Sequence, residues 1–173
     1  RLGPGELVPV LSYIWQMGKC RKCGEGISLR YPIVELTTGL GFLALWQSRS
    51  SFTEFLVGVV FFSLLLILAL IDLDHKLLPN VLTIPGTALG LLFGLLGWTG
   101  SFWTSLLGAG VGFLLIFLIA LISRGGMGMG DAKLMAMIGA FLGWKSVFYV
   151  LFGASFLGSI GGILYLYLTK QDR

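Results

Sequence analysis

Leu64-Leu65-Leu66-Ile67-Leu68-Ala69-Leu70-Ile71-Asp72-Leu73-Asp74-His75-Lys76-Leu77-Leu78-Pro79-Asn80 passes in one step from unbroken aliphatic sequence to a charged cluster closed by proline. The apolar half reaches back to Phe52, so Phe52–Asp72 has about the ~20 residues that a helix needs to cross a bilayer core. A carboxylate at the edge of a bilayer is costly, and Asp72 therefore calls for a functional reason. A second such residue is Asp131. It follows the glycine-rich Gly125-Gly126-Met127-Gly128-Met129-Gly130 and opens another apolar run.

The rest of the chain has the same character. Of 173 residues, 56% are hydrophobic and 12% are charged, and the mean hydropathy is +0.92. This excludes an ordinary soluble domain and points to a polytopic membrane protein in a lipid bilayer. The net charge of +4 is then a topological signal, not a nucleic-acid footprint, and no nucleic-acid partner is expected. The 26 glycines lie mostly within apolar runs, where small residues let helices pack closely. Arg1-Leu2-Gly3-Pro4-Gly5 shows no signal peptide and lacks an initiator Met, so the chain is expected to be a piece of a longer protein.

The fold class expected is all-α, with about six transmembrane helices and a small cytoplasmic Cys-x-x-Cys subdomain. Residues 1–31 are polar, basic and broken by Pro4 and Pro9, with a short amphipathic piece near Val10–Met17; residues 32–173 form the transmembrane domain. The expected helices are Pro32–Gln47, Phe52–Asp72, Val81–Trp98, Phe102–Ser123, Asp131–Trp144 and Val147–Leu168. Pro32 and Glu35 suit the first turns of theirs, and Asn80 is the expected N-cap of the third. If residues 1–31 are cytoplasmic, the cytoplasmic ends carry Arg1, Lys19, Arg21, Lys22, Arg30, Lys76, Arg124, Lys133, Lys170 and Arg173. The outer loops carry Arg49 and Lys145 alone. That asymmetry follows the positive-inside rule and places the loops of Asp72 and Asp131 on the cytoplasmic face.

Two carboxylates brought together cannot both ionise easily, so one keeps a proton. The ionised member can take a proton from water while the other polarises a carbonyl, which is general acid–base hydrolysis of a peptide bond. Proteolysis of this kind needs no cofactor. Glycines before Asp131 are expected to permit a tight, positive-φ turn and close approach of a substrate backbone. The stretch lacks the spacing of a phosphate loop. A lone aspartate at a helix end is more often an interfacial charge; it is the pairing on one face that favours catalysis. Intramembrane acids beside glycine-broken helices would equally serve a proton-coupled transporter, which is the alternative reading. A non-catalytic scaffold would tolerate replacement of both aspartates.

Cys20-Arg21-Lys22-Cys23 fits a zinc knuckle that supplies two of four ligands, the others coming from outside this chain; a redox pair is the alternative. His75, the one histidine, reads as a solvated loop residue. The indoles of Trp15, Trp46, Trp98, Trp103 and Trp144 suit interface anchoring.

Ile71–Thr83 and Gly128-Met129-Gly130-Asp131-Ala132-Lys133-Leu134 together resemble the type IV prepilin peptidase family, bacterial inner-membrane aspartic proteases of the GxGD class. Gly5–Tyr13, Cys20–Cys23 and Arg30–Glu35 are similar to that family's cytoplasmic domain and the entry to its next helix. The resemblance implies that Asp72 and Asp131 are the catalytic pair. Asp74, Gly128, Gly130 and Lys133 are implied to be supporting or substrate-binding residues, and Asp74 should not substitute for Asp72. Lys133 is open to two readings, a positive-inside anchor or electrostatic support of the pair. The resemblance further implies cleavage of the basic leader from prepilins and pseudopilins at a glycine before the mature apolar helix. Many members then methylate the new N-terminus with S-adenosylmethionine, for which Glu6 and the cysteine subdomain are candidates. The Cys-x-x-Cys argues against a preflagellin-type peptidase. The family also has an earlier membrane helix and a first Cys-x-x-Cys, both upstream of Arg1.

Overall fold

A computed structural model describes residues 8–21, 23–123 and 128–170, and within these the chain is all-α. The helices are α1 (Leu11–Trp15), α2 (Arg30–Ser48), α3 (Phe52–His75), α4 (Asn80–Leu95), α5 (Phe102–Ile122), α6 (Met129–Leu142) and α7 (Trp144–Lys170). All six expected helices are present, with shifted ends. Two compact units divide the chain, Arg1–Ser63 and Leu64–Arg173.

Phe52–His75, Phe102–Ile122 and Trp144–Leu168 are long and apolar enough to cross a membrane. Asn80–Leu95 is apolar but shorter. Most large apolar side chains of α7 lie on the outside, among them Phe152, Phe156, Ile163 and Leu166. With no aqueous solvent suited to such a surface, this is the exterior of a membrane protein.

In the first unit, α2 and the start of α3 meet through aromatic edges, with Trp46 and Phe55 ring centroids 5.3 Å apart. Gly41 leaves room for the Phe62 ring. Val10 precedes α1 at φ 60, a strained setting for a β-branched residue. Its N–H donates to Glu35 Oε2 at 2.7 Å, so Glu35 ties the start of α1 to α2.

The second unit is built around α6, a helix of 14 residues. It packs against α4, α5 and α7 and buries Ala132, Met135, Ala136, Met137, Ile138, Gly139, Ala140 and Phe141. At about 21 Å its length falls short of a bilayer core. Its surroundings are largely protein, and glycine makes that possible. A Cβ on Gly108 of α5 would collide with the Gly139 carbonyl, and one on Gly139 would collide with the Gly108 carbonyl. One turn on, a Cβ on Gly112 would strike the Met135 carbonyl. The two backbones are therefore in direct contact, as small residues at fourfold spacing allow. On α4 the same spacing buries Gly86, Gly90 and Gly94, with Gly90 against Ala140 and Phe141 and Gly94 against Ser105.

The helix ends explain the shifted boundaries. α4 stops at Leu95, short of the expected Trp98. Gly97 turns left-handed at φ 74, and Trp98 N–H returns to the Phe93 carbonyl at 2.9 Å. Gly97 N–H meets Gly94 at 3.1 Å, completing a Schellman cap sealed by stacked Phe93 and Trp98 rings. Gly143 at φ 79 separates α6 from α7. At its start α4 differs from expectation in another way: the N-cap position falls on Pro79, and Asn80 is the first helical residue. Proline's fixed φ suits that entry, and the Asn80 side chain is left for another partner.

Replacing Gly139 with Leu should drive a side chain into the α5 backbone and cost roughly 1–3 kcal/mol or more. Gly153, where an added Cβ meets nothing within 4 Å, is the control. Thermal unfolding in one detergent should show a lowered midpoint for Gly139→Leu and little change for Gly153→Leu; equal midpoints would contradict the α5–α6 contact.

Candidate functional site

Asp72 lies one turn inside the end of α3, which continues to His75. The helix stops because Lys76 adopts φ 52 and donates its N–H to the Asp72 carbonyl at 2.8 Å. Left-handed geometry at a non-glycine residue is uncommon and marks a sharp exit. Asp72, Asp74 and His75 are all exposed at this end. From here Leu77, Leu78 and Pro79 form a short connection into α4.

Asp131 occupies the first turn of α6, three residues past the N-cap Gly128. Its Oδ2 accepts the Gly128 N–H at 3.2 Å, while its own N–H donates to the Gly128 carbonyl at 3.1 Å. An acidic residue is favoured here by the exposed N–H groups of a helix start. Gly128 and Gly130 do not make the positive-φ turn that was expected. Gly128 has φ −77, and Gly130 is a helical residue outside the positive-φ set. Neither needs left-handed backbone. A Cβ on Gly130 would lie 3.1 Å from Leu78 Cβ, so Gly130 serves close approach between the α6 start and the α3–α4 connection. Gly125, Gly126 and Met127 lie outside the described residues.

A second contact joins the same two segments. Lys133 Nζ donates to Asn80 Oδ1 at 2.8 Å, across 53 residues of sequence. The connection leaving Asp72 and the helix start carrying Asp131 thus meet twice, at Leu78–Gly130 and at Asn80–Lys133. Of the expected site residues, Asp72, Asp74, Gly128, Gly130, Asp131 and Lys133 all sit on these two segments. Asn80 joins them as a participant that its expected capping role had hidden.

Cys20 and Cys23 belong to the first unit and are not joined in a disulfide. The Cys20 carbonyl accepts Gly24 N–H at 2.8 Å, and Cys20 N–H donates to the Glu25 carbonyl at 2.8 Å. Gly24 takes φ 71, and Lys19 and Gly26 close the turn as an isolated antiparallel bridge. The two cysteines thus sit on one tight turn closed through the Cys20 backbone. Among the described residues no group of three or more His, Cys, Asp or Glu side chains gathers to complete a site. Glu6 lies outside the described residues.

Residues 59–163 match the Type IV leader peptidase family, and residues 1–49 match the Bacterial Peptidase A24 N-terminal domain. This chain belongs to the type IV leader peptidase family. Among similar proteins, the prepilin leader peptidase/N-methyltransferase of Myxococcus xanthus is 41% identical over 171 residues, covering 96% of this chain and 51% of the relative. That of Bacillus subtilis is 40% identical over 164 residues, covering 93% of this chain and 65% of the relative. That of Aeromonas hydrophila is 40% identical over 173 residues, covering 97% of this chain and 60% of the relative. The chain thus spans between half and two-thirds of the length of these relatives. No solved structure matches it.

The peptidase-family match spans both aspartate-bearing segments. Their contact generates a local test. Gly130→Leu should push Leu78 away and speed amide exchange at positions 77–82 by about tenfold, equivalent to ~1.4 kcal/mol of easier opening. Unchanged exchange there would contradict the contact.

Proposed function

We propose that this chain is the membrane-embedded part of an aspartic endopeptidase that removes the basic leader from type IV prepilins and pseudopilins. The observation carrying the proposal is the double contact between the segments of Asp72 and Asp131. Family membership supports the substrate class, since the relatives are named for prepilin leader cleavage.

In this reading one of Asp72 and Asp131 acts as general base and the other as general acid. The ionised carboxylate takes a proton from water as the water oxygen attacks the scissile carbonyl. The protonated carboxyl gives its proton to the carbonyl oxygen, forming a tetrahedral diol. Collapse of the diol breaks the C–N bond, with a proton passing to the departing amine. The Asp131 carboxylate is held in place by Gly128 N–H, and a fixed acid is the better catalyst because no ordering is needed at reaction. Cleavage falls at a glycine before the apolar helix of the mature pilin.

Six crossings, with 1–31 cytoplasmic, put both segments on the face bearing ten of the twelve Lys and Arg residues. The protein then resides in the bacterial inner membrane with its site facing the cytoplasm. Acidic Asp72, Asp74 and Asp131 suit a positively charged leader. Cys20 and Cys23 supply two thiolates to a structural zinc ion, whose remaining ligands lie outside this chain and which stabilises the turn when bound. Methylation of the new N-terminus by S-adenosylmethionine is a second activity of the whole protein, with Glu6 a candidate participant.

Asp72→Asn and Asp131→Asn in the full-length protein should each lower prepilin cleavage by at least roughly a thousandfold, while the protein stays folded. The amide oxygen at 131 can still accept Gly128 N–H, which keeps the helix start intact. Asp74→Asn should be much milder. Near-normal turnover of either of the first two variants, measured on purified protein with a prepilin, sinks the assignment. For the zinc site, elemental analysis of the full-length protein should find bound zinc that Cys20→Ser and Cys23→Ser lose; a zinc-free native protein contradicts it.

A further inference from the structure

Lys133 and Asn80 have no part in the acid–base steps above, yet they form a long-range side-chain hydrogen bond between the two aspartate-bearing segments. Lys133 follows Asp131 by two positions, and Asn80 follows Asp72 by eight. We propose that Lys133 is a positioning residue, a tether that holds the α3–α4 connection against the first turn of α6 and so fixes Asp72 relative to Asp131. This proposal rests on the catalytic reading of the two aspartates.

Three observations carry it. First, the tether lies beside the close contact of Leu78 with Gly130. Gly130 offers no side chain to Leu78, and van der Waals contact has little directional preference. A charge-assisted hydrogen bond adds direction at the same junction. Second, the connection it holds has only four residues, Lys76 to Pro79, with a left-handed start at Lys76. Displacing Asn80 therefore displaces the end of α3. Third, α6 is packed against α5 and α7 as well as against α4, the helix that Asn80 opens, so its first turn is a firm anchor. Lys133 is half-buried, whereas a lysine acting only as a topological charge would extend into water or toward lipid headgroups. Asn80 carries no charge, so the ammonium is oriented by this bond without being neutralised.

The test uses full-length protein, a purified prepilin, and Lys133→Met, Asn80→Leu, the double variant and Asn80→Asp. Asp72→Asn and Asp131→Asn run beside them. A tether predicts that Lys133→Met and Asn80→Leu each lower kcat on the order of tenfold with KM nearly unchanged, because geometry and not binding is lost. The double variant should fall no further than the slower single one. Asn80→Asp keeps an acceptor for Lys133 and should hold a near-normal kcat. Additive losses, an unchanged kcat in either single variant, or a loss confined to Lys133→Met overturn the tether. If Lys133→Met does not accumulate, Asn80→Ala against Asn80→Asp decides: slow and normal supports the tether, equal rates overturn it. Inactive aspartate variants with fully active tether variants reject the tether alone. Active aspartate variants reject the catalytic reading and, with it, the role given to Lys133.

Discussion

The second unit depends on the direct backbone contact between α5 and α6. Gly108 and Gly139 face each other with no room for a Cβ on either, and Gly112 does the same against Met135. In lipid there is little hydrophobic gain in burying one apolar helix against another, so close van der Waals packing must supply the association. That packing lets a helix too short for the bilayer sit at the centre of four. Once α6 is enclosed, the position of its first turn is decided, and Asp131 goes with it. α4 completes the enclosure through Gly86, Gly90 and Gly94, and its own start then brings Asn80 and Leu78 to the same place. Packing in the middle of the bundle thus sets the geometry at its end.

That geometry explains how two acids can come from helices distant in sequence. Asp72 is carried by the last turn of α3, and the chain then turns at Lys76 into a four-residue connection. Asp131 is carried by a helix start, where backbone N–H groups favour a negative charge and Gly128 donates directly to the carboxylate. The capping role and the proposed catalytic role do not compete. A carboxylate has two oxygens and several lone pairs, and one bond to Gly128 restrains the group while capacity remains for water or a carbonyl.

Much of this was legible in the sequence. The six helices α2 to α7 could be read because apolar runs are punctuated by proline, glycine or charge, as at Leu78-Pro79-Asn80 and Gly97. Asp72 and Asp131 stood out because acids at the ends of apolar runs are expensive. Their placement on adjoining segments is a fact of tertiary packing that no local pattern states. Among 26 glycines, nothing in the chain says that Gly108 pairs with Gly139, because the pairing depends on which faces meet. Gly128 and Gly130 depart from the expected positive-φ turn for a related reason. A Gly-x-Gly sequence permits positive φ but does not require it, and here Gly130 is spent on closeness to Leu78. Asn80 looked like an N-cap by position; Pro79 takes that place, and the amide meets a lysine 53 residues away. Left-handed Lys76 was likewise invisible, since lysine has no preference for that conformation.

The central claim is that Asp72 and Asp131 face one another across a shared site, and proximity in the membrane tests it most directly. Asp72→Cys and Asp131→Cys combined in full-length protein, treated in native membranes with a short bifunctional thiol reagent and mapped by mass spectrometry, should give a rapid intramolecular link between positions 72 and 131. Asp74→Cys with Asp131→Cys should link far more slowly, because position 74 points elsewhere around the α3 turn. Equal rates for the two pairs, or no link between 72 and 131, would contradict the account.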